Sequence, residues 1–207
     1  MDPKKSLKER FLDGAAFLIS SFFSPYLVSV VFILIISFIY ALGLKQFLPW
    51  ILISLFFIAA IPVGYIIWFM EKKKISDIHL SNLKERKIPF IIGAVSSVIG
   101  ASILFCLKAA TPILAVVTAY AVNAILISII TLYWKISIHS AFLVATVSIV
   151  MIVFGTKFWP LFLLWIPVAW ARVHRRRHTP EQVLAGATLA IISTSIVFYI
   201  FGYGIGG

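Results

Sequence analysis

Basic and imidazole side chains are concentrated in three short segments of the chain, residues 84–89, 135–140 and 171–182. Imidazole titrates near neutral pH, so a histidine can act as a nucleophile or as a general acid. The guanidinium group of arginine is planar and can bind two phosphate oxygens at once. These residue types together predict the binding of a multiply charged anion such as a phosphate.

Each of the three segments leads into a predicted helix. Pro89 suits the first position of a helix, and Ser137 suits an N-cap. Thr179 followed by Pro180 suits an N-cap and a first helical residue. Free backbone N–H groups and the positive end of the helix dipole make such termini anion sites. Thr179 and Gln182 also match a capping box, which gives Gln182 an alternative role that needs no reaction.

The composition predicts the elements that position these segments. Of 207 residues, 62% are hydrophobic and 12% are charged, whereas a soluble domain is about half apolar and a quarter charged. We therefore expect an all-α fold, an integral membrane helical bundle of six or seven transmembrane helices. The expected spans are residues 25–43, 49–69, 90–108, 112–133, 138–154, 158–172 and 181–203.

The chain divides into a basic N-terminal segment, residues 1–24, and a transmembrane domain, residues 25–207. Residues 11–24 are mostly apolar and could form a helix along the membrane interface. Every Asp, Glu and His falls on the side of the expected spans that holds the N-terminus, together with most of the Lys and Arg. The positive-inside rule predicts that this side is the cytoplasmic face of the cell membrane, with the C-terminus outside.

The charge pattern also excludes several functions. The net charge of +11 does not indicate a nucleic-acid partner, because the basic residues flank apolar stretches and form no separate domain. The expected partners are membrane lipids. The three Asp residues are far apart in the sequence, so no carboxylate cluster is expected to bind a divalent cation. The single cysteine, Cys106, excludes a cysteine-rich metal site. We therefore expect no metal and no cofactor.

The three segments resemble the signatures of one enzyme family, the type 2 phosphatidic acid phosphatase superfamily of lipid phosphate phosphatases. Arg172, five residues and His178 resemble its third signature, Ser-Arg, five residues, His, three residues, Asp, with Gln182 at the position of the Asp. Residues 136–139, Ile-Ser-Ile-His, resemble its second signature, Pro-Ser-Gly-His. Residues 84–89 resemble its first, a Lys, six residues, then Arg-Pro. The resemblance covers roughly the C-terminal two thirds of the chain.

The resemblance implies hydrolysis of a membrane lipid phosphate or diphosphate through a phosphohistidine, without a metal. It implies that His178 is the nucleophile and His139 the general acid, with Gln182 in the place of the group that orients His178. The implied phosphate ligands are Arg172, Ser137 and Arg86 with Lys84 or Lys87.

The substrate class and the oligomeric state stay open at this point. Polyprenyl diphosphate, phosphatidate and phosphatidylglycerophosphate all fit the residues. Two other functions are alternatives: a non-catalytic lipid-phosphate-binding protein on the same fold, for which Gln182 in place of Asp is the signal, and a small transporter or scramblase. Transporters usually place an ionisable group inside the bundle, and no such residue lies near the centre of an expected span.

Overall fold

The computed structural model describes residues 6–74 and 83–204, and for residues 83 and 84 it describes the backbone alone. All regular structure in these ranges is helical, with no β-strand. The α-helices in chain order are α1 Leu7–Phe22, α2 Pro25–Tyr40, α3 Leu44–Leu55, α4 Ile61–Glu71, α5 Leu83–Cys106, α6 Thr111–Thr131, α7 Ile138–Phe154, α8 Trp165–His174 and α9 Pro180–Ile200. A π-helical turn, Phe56–Ala60, joins α3 to α4, and a 3-10 helix, Thr156–Leu164, joins α7 to α8.

Four helical stretches of the described residues are long and apolar enough to cross a membrane. They are Leu44–Glu71, which combines α3, the π-helical turn and α4, then Glu85–Cys106, Thr111–Thr131 and Pro180–Ile200. A fifth crossing results if α1 and α2, which meet at an angle of 42°, are counted together as one broken span. The described part of the chain is therefore all-helical, with four to five helices that could span a membrane by length and composition.

Three of the seven expected spans take a different form. Residues 25–43 contain α2, which has 16 residues and counts as a crossing only together with α1. Residues 138–154 become α7, which has 17 residues and is about 25 Å long, shorter than the bilayer core of about 30 Å. Residues 158–172 are not one α-helix, because the 3-10 helix occupies them up to Leu164 and α8 begins at Trp165. Pro160 lies within the 3-10 helix and has no backbone N–H to donate to an α-helical ladder.

The expectation that Pro89 begins a helix is wrong. α5 is already helical from Leu83, and Pro89 lies inside it. The residues before the proline include Lys, Glu and Arg, which favour helix, so the helix extends upstream of the proline. The proline removes one backbone hydrogen bond near the start of the helix. As a result Arg86 lies within a helical turn, where its direction is fixed by the helix.

Helices α6, α7 and α9 form the centre of the bundle. Small residues that let helix backbones approach closely are fully buried there, namely Ala115, Ala119, Ala141, Ala145 and Ala190. Polar bonds also cross between α6 and α9: the hydroxyl of Ser193 donates to Oδ1 of Asn123 at 3.0 Å, and Nδ2 of Asn123 donates to the hydroxyl of Thr194 at 3.2 Å. This packing fixes the relative positions of the helices whose first turns carry the candidate site.

Candidate functional site

The first turns of α7 and α9 are joined directly by hydrogen bonds. The backbone N–H of Ser137 donates to the carbonyl of Gln182 at 3.1 Å, and the hydroxyl of Ser140 donates to the carbonyl of Val183 at 2.7 Å. A side chain at Gly186 would not fit, because its Cβ would lie 2.5 Å from the carbonyl oxygen of Ser137. The glycine therefore permits the close approach of the two helix starts.

The C-terminal end of α8 returns the chain to this junction through a Schellman motif. The backbone N–H of Arg177 donates to the carbonyl of Arg172 at 3.1 Å, and the N–H of Arg176 donates to the carbonyl of Val173 at 2.8 Å. Arg176 has a φ of 51°, the left-handed conformation that this motif requires just after a helix. The N–H of His178 also reaches the carbonyl of Arg172 at 3.3 Å. The five residues between Arg172 and His178 thus form the last turn of α8 and the Schellman motif that reverses the chain direction.

Gln182 determines which ring nitrogen of His178 carries the hydrogen. The backbone N–H of Thr179 donates to the Gln182 side chain at 3.3 Å, so the atom facing it is the amide oxygen, Oε1. The same oxygen lies 3.1 Å from Nδ1 of His178, and an oxygen can only accept here, so Nδ1 carries the hydrogen. In the neutral ring, Nε2 then holds the free lone pair that a nucleophile needs.

The capping box predicted at this helix start is also present. The hydroxyl of Thr179 accepts the backbone N–H of Gln182 at 3.4 Å, and the Gln182 side chain accepts that of Thr179. The two roles considered for Gln182 are therefore compatible, because one oxygen serves the helix start and His178 together.

Arg86 lies on the Nε2 side of His178. Its Nη2 is 3.4 Å from Nε2, and its Nη1 donates to the carbonyl of Ile136 at 3.0 Å. Arg86 and Arg172 are each only 1% exposed. An anion that enters this site therefore meets a concentration of positive charge.

His178 is held in its neutral form. Burial, together with the positive charges of Arg86, Arg172 and Lys135, lowers the pKa of His178 from 6.5 to about 2. The hydrogen bond to Gln182 acts in the opposite direction and raises the pKa. A bound phosphate would also raise the pKa, because a nearby negative charge favours imidazolium.

Ser137 and His139 occupy the start of α7. Ser137 is the N-cap, and its hydroxyl accepts the backbone N–H of Ser140 at 3.4 Å. His139 is the second residue of the helix and is 1% exposed. The structure therefore places both residues next to Ile136, whose carbonyl accepts the hydrogen bond of Arg86.

The remaining predicted phosphate ligands have different placements. Lys87 is exposed, whereas Arg86 is buried; successive helical residues point about 100° apart, so the two cannot face the same site. The side chain of Lys84 lies outside the described residues. Lys135 is half-buried and contributes positive charge at His178, although it is not among the predicted phosphate ligands. Its position two residues before the N-cap Ser137 is the signal that could have identified it.

Helix α1 supports the segment that carries Arg172 and His178. Nε2 of His174 lies 2.9 Å from Oδ1 of Asp13, and the guanidinium of Arg175 lies over the ring of Phe17 at 5.2 Å. Both contacts join α1 to the C-terminal end of α8. The N-terminal helix thus packs against the reversal that precedes α9.

The described residues contain no group of His, Cys, Asp and Glu that could hold a metal ion. Comparisons with protein-family models, with curated proteins and with solved structures give no match. Any assignment of function therefore depends on the geometry of the three converging helix starts.

Proposed function

We propose that this protein is a metal-independent phosphatase that hydrolyses a membrane lipid phosphate or diphosphate through a phosphohistidine at His178. The observation that carries the proposal is the sequence of contacts from Gln182 through the ring of His178 to Arg86, with separations of 3.1 and 3.4 Å. These contacts direct the lone pair of a neutral imidazole toward a buried guanidinium. A phosphate that Arg86 binds would present its phosphorus atom to Nε2.

In the proposed first step, Nε2 of His178 attacks phosphorus, the N–P bond forms, and the bond from phosphorus to the leaving oxygen breaks. His139 donates a proton to that oxygen. Arg86, Arg172 and the Ser137 hydroxyl stabilise the charge on the phosphoryl oxygens. In the second step His139 takes a proton from water, the water oxygen attacks phosphorus, and the N–P bond breaks. Phosphate leaves, and His178 returns to its neutral state.

The proposal includes six or seven membrane spans and a site on the cytoplasmic face. The starts of α5, α7 and α9 contact one another, which supports an arrangement in which α7 crosses away from the site and the 3-10 helix with α8 returns to it. The short length of α7 fits a bilayer that is locally thinned. Cysteine labelling at position 176, in a Cys106→Ser background, tests the orientation: labelling from outside by an impermeant reagent would reject it.

The activity itself is tested by phosphate release from a short-chain lipid phosphate, with and without EDTA. We expect release by the wild-type protein that EDTA does not reduce, and none by the His178→Ala variant. Arg176→Lys is the matched control, since Arg176 belongs to the same loop and is exposed. Loss of activity on chelation, restored by Mg²⁺, would reject the histidine mechanism.

A second candidate function is lipid-phosphate binding without catalysis. The observation that favours it is the neutral side chain of Gln182, because an amide stabilises an imidazolium-like state less than a carboxylate does. This alternative predicts that the protein binds a lipid phosphate through Arg86 and Arg172 but releases no inorganic phosphate. The same release assay, combined with a binding measurement, separates the two functions.

A further inference from the structure

A cavity of about 70 Å³, open on part of its surface, lies among α2, α4, α5, α6 and α7. Its wall includes Pro89, Phe90 and Gly93 of α5 and Ile138 and Phe142 of α7. Residues of the α5 wall extend from Pro89 to Ser97, a depth of about 12 Å along the helix axis. The cavity therefore begins at the level of the candidate site and leads toward the middle of the bundle.

Two features connect this cavity with the cationic site. The guanidinium of Arg86 lies over the ring of Phe90 at 5.5 Å, and Phe90 is itself part of the cavity wall. On the opposite wall, Ile138 precedes His139 and Phe142 follows it by one helical turn. A ligand whose phosphate contacts Arg86 would therefore have its next atoms at the entrance to the cavity.

The cavity wall offers mainly hydrocarbon to a ligand. Its wall is formed mainly by side chains that donate no hydrogen bonds, and the hydroxyl-bearing residues among its lining are Tyr26, Ser29, Ser97 and Ser128. Two hydroxyls of the wall already donate within the protein: Ser97 to the carbonyl of Gly93 at 2.7 Å, and Ser128 to the carbonyls of Phe90 at 2.8 Å and Ala124 at 2.7 Å. Ester carbonyls placed at this entrance would lose water without gaining partners there.

We propose that the cavity holds one hydrocarbon chain that is bonded directly to the phosphate, so that the substrate class is a prenyl or long-chain alkyl phosphate or diphosphate. This inference rests on the proposed phosphate site. It excludes diacylglycerol phosphates as the preferred substrates, because their glycerol and ester groups would occupy the apolar entrance. The first carbon atoms of the chain lie in the cavity, and the remainder leaves through its open side into the bilayer.

Binding of non-hydrolysable phosphonates to the full chain in one detergent tests the proposal independently of turnover. The probes are methylphosphonate, decylphosphonate and a diacylglycerol phosphonate. We expect decylphosphonate to bind at least about tenfold more tightly than either of the others, since burial of each CH₂ favours binding. Equal affinities for methyl- and decylphosphonate, or tighter binding of the diacyl probe, would overturn the proposal.

Gly93→Leu fills the cavity, and Gly93→Ala is its matched control. A Cβ at Gly93 would lie 3.7 Å from Cβ of Pro62, an ordinary contact, so alanine fits. Val95→Leu adds bulk to an outward-facing position of the same helix, because Val95 is 55% exposed. We expect only the Gly93→Leu variant to lose affinity for decylphosphonate, by about tenfold or more, with methylphosphonate binding kept within about twofold.

Ala124→Leu, on the α6 wall of the cavity, is the second variant if Gly93→Leu does not fold. Unchanged decylphosphonate affinity in a folded cavity-filling variant contradicts the proposal. The cavity assignment and the proposed phosphatase activity can be rejected separately. Phosphate release without a dependence on chain length rejects the cavity assignment and leaves the phosphatase. Chain-dependent binding without phosphate release rejects the phosphatase and leaves the cavity assignment.

Discussion

Replacement of Gln182 by alanine removes one oxygen atom that has two partners. Oε1 accepts the backbone N–H of Thr179 at 3.3 Å and Nδ1–H of His178 at 3.1 Å. The first bond is one half of the capping box, worth about 1 kcal/mol. The second leaves a buried ring N–H unsatisfied, which costs about 1–3 kcal/mol. We therefore expect the free energy of unfolding to fall by about 2–4 kcal/mol.

The same change should also lower the rate of catalysis. Without Oε1, the ring loses the acceptor that holds Nδ1–H, and only the longer contact of Arg86 with Nε2, at 3.4 Å, still favours this tautomer and orientation. Loss of such an orienting group typically lowers activity by about 10- to 100-fold. Gln182→Glu retains the length of the side chain and should keep both contacts. Gln182→Asp restores the carboxylate of the resembled signature, so turnover should stay level or rise, because a carboxylate favours the imidazolium-like state.

The assay measures turnover and thermal midpoint for the wild type and the three Gln182 variants in one detergent, with a saturating short-chain lipid phosphate. A fall in both quantities for Gln182→Ala, with turnover retained in Gln182→Asp, supports the orienting role. Equal turnover in Gln182→Ala and the wild type, with only the midpoint lowered, would refute it and leave Gln182 as a helix cap.

Three further predictions concern the helix starts and the loop before α9. Arg172→Lys keeps the charge but loses the planar fork, so phosphate release should fall by about a hundredfold, while the same change at Arg176 should have little effect. Equal rates of phosphate release in Arg172→Lys and the wild type would mean that Arg172 contributes only to the orientation of the protein in the membrane. Gly186→Ala should destabilise the protein by about 1–3 kcal/mol and lower activity, because its Cβ would meet the Ser137 carbonyl; an unchanged midpoint would contradict this contact. The pKa of His178 is lowered from 6.5 to about 2, so between these pH values the unfolded chain binds a proton that the folded chain does not. The free energy of unfolding should therefore fall as the pH falls below 6.5, by at most about 1.4 kcal/mol per pH unit. His178→Gln should remove this contribution, and an identical pH dependence in the variant would show that His178 is not its source.

The parts of the site that could be predicted from the sequence are those fixed by local rules. The cap at Ser137 and the capping box at Thr179 follow from side chains that bond to nearby backbone groups, and the structure confirms both. The sequence predicts that the three segments lie on one side of the bundle, because two expected spans separate each segment from the next. The contacts of Ser137 with Gln182 and of Arg86 with Ile136 place those segments together.

Other features depend on geometry that a sequence pattern does not contain. Arg86 and Lys87 are neighbours of similar charge, and the sequence could not show which one faces the bundle, because the helix continued upstream of Pro89. Arg176 adopts a left-handed conformation that glycine usually supplies, so nothing in the residue type predicted the Schellman motif. The division of residues 158–172 into a 3-10 helix and α8 likewise has no counterpart in the hydrophobic pattern.

The most direct test of the central claim is to trap the phosphoenzyme during turnover of a ³²P-labelled lipid phosphate and to map the labelled residue. The account predicts an acid-labile, base-stable phosphoramidate on the peptide that contains His178. It also predicts no label in the His178→Ala variant and reduced label in the Gln182→Ala variant. Continued turnover in His178→Ala, or a label on any other residue of the wild-type protein, would contradict the assignment of His178 as the nucleophile.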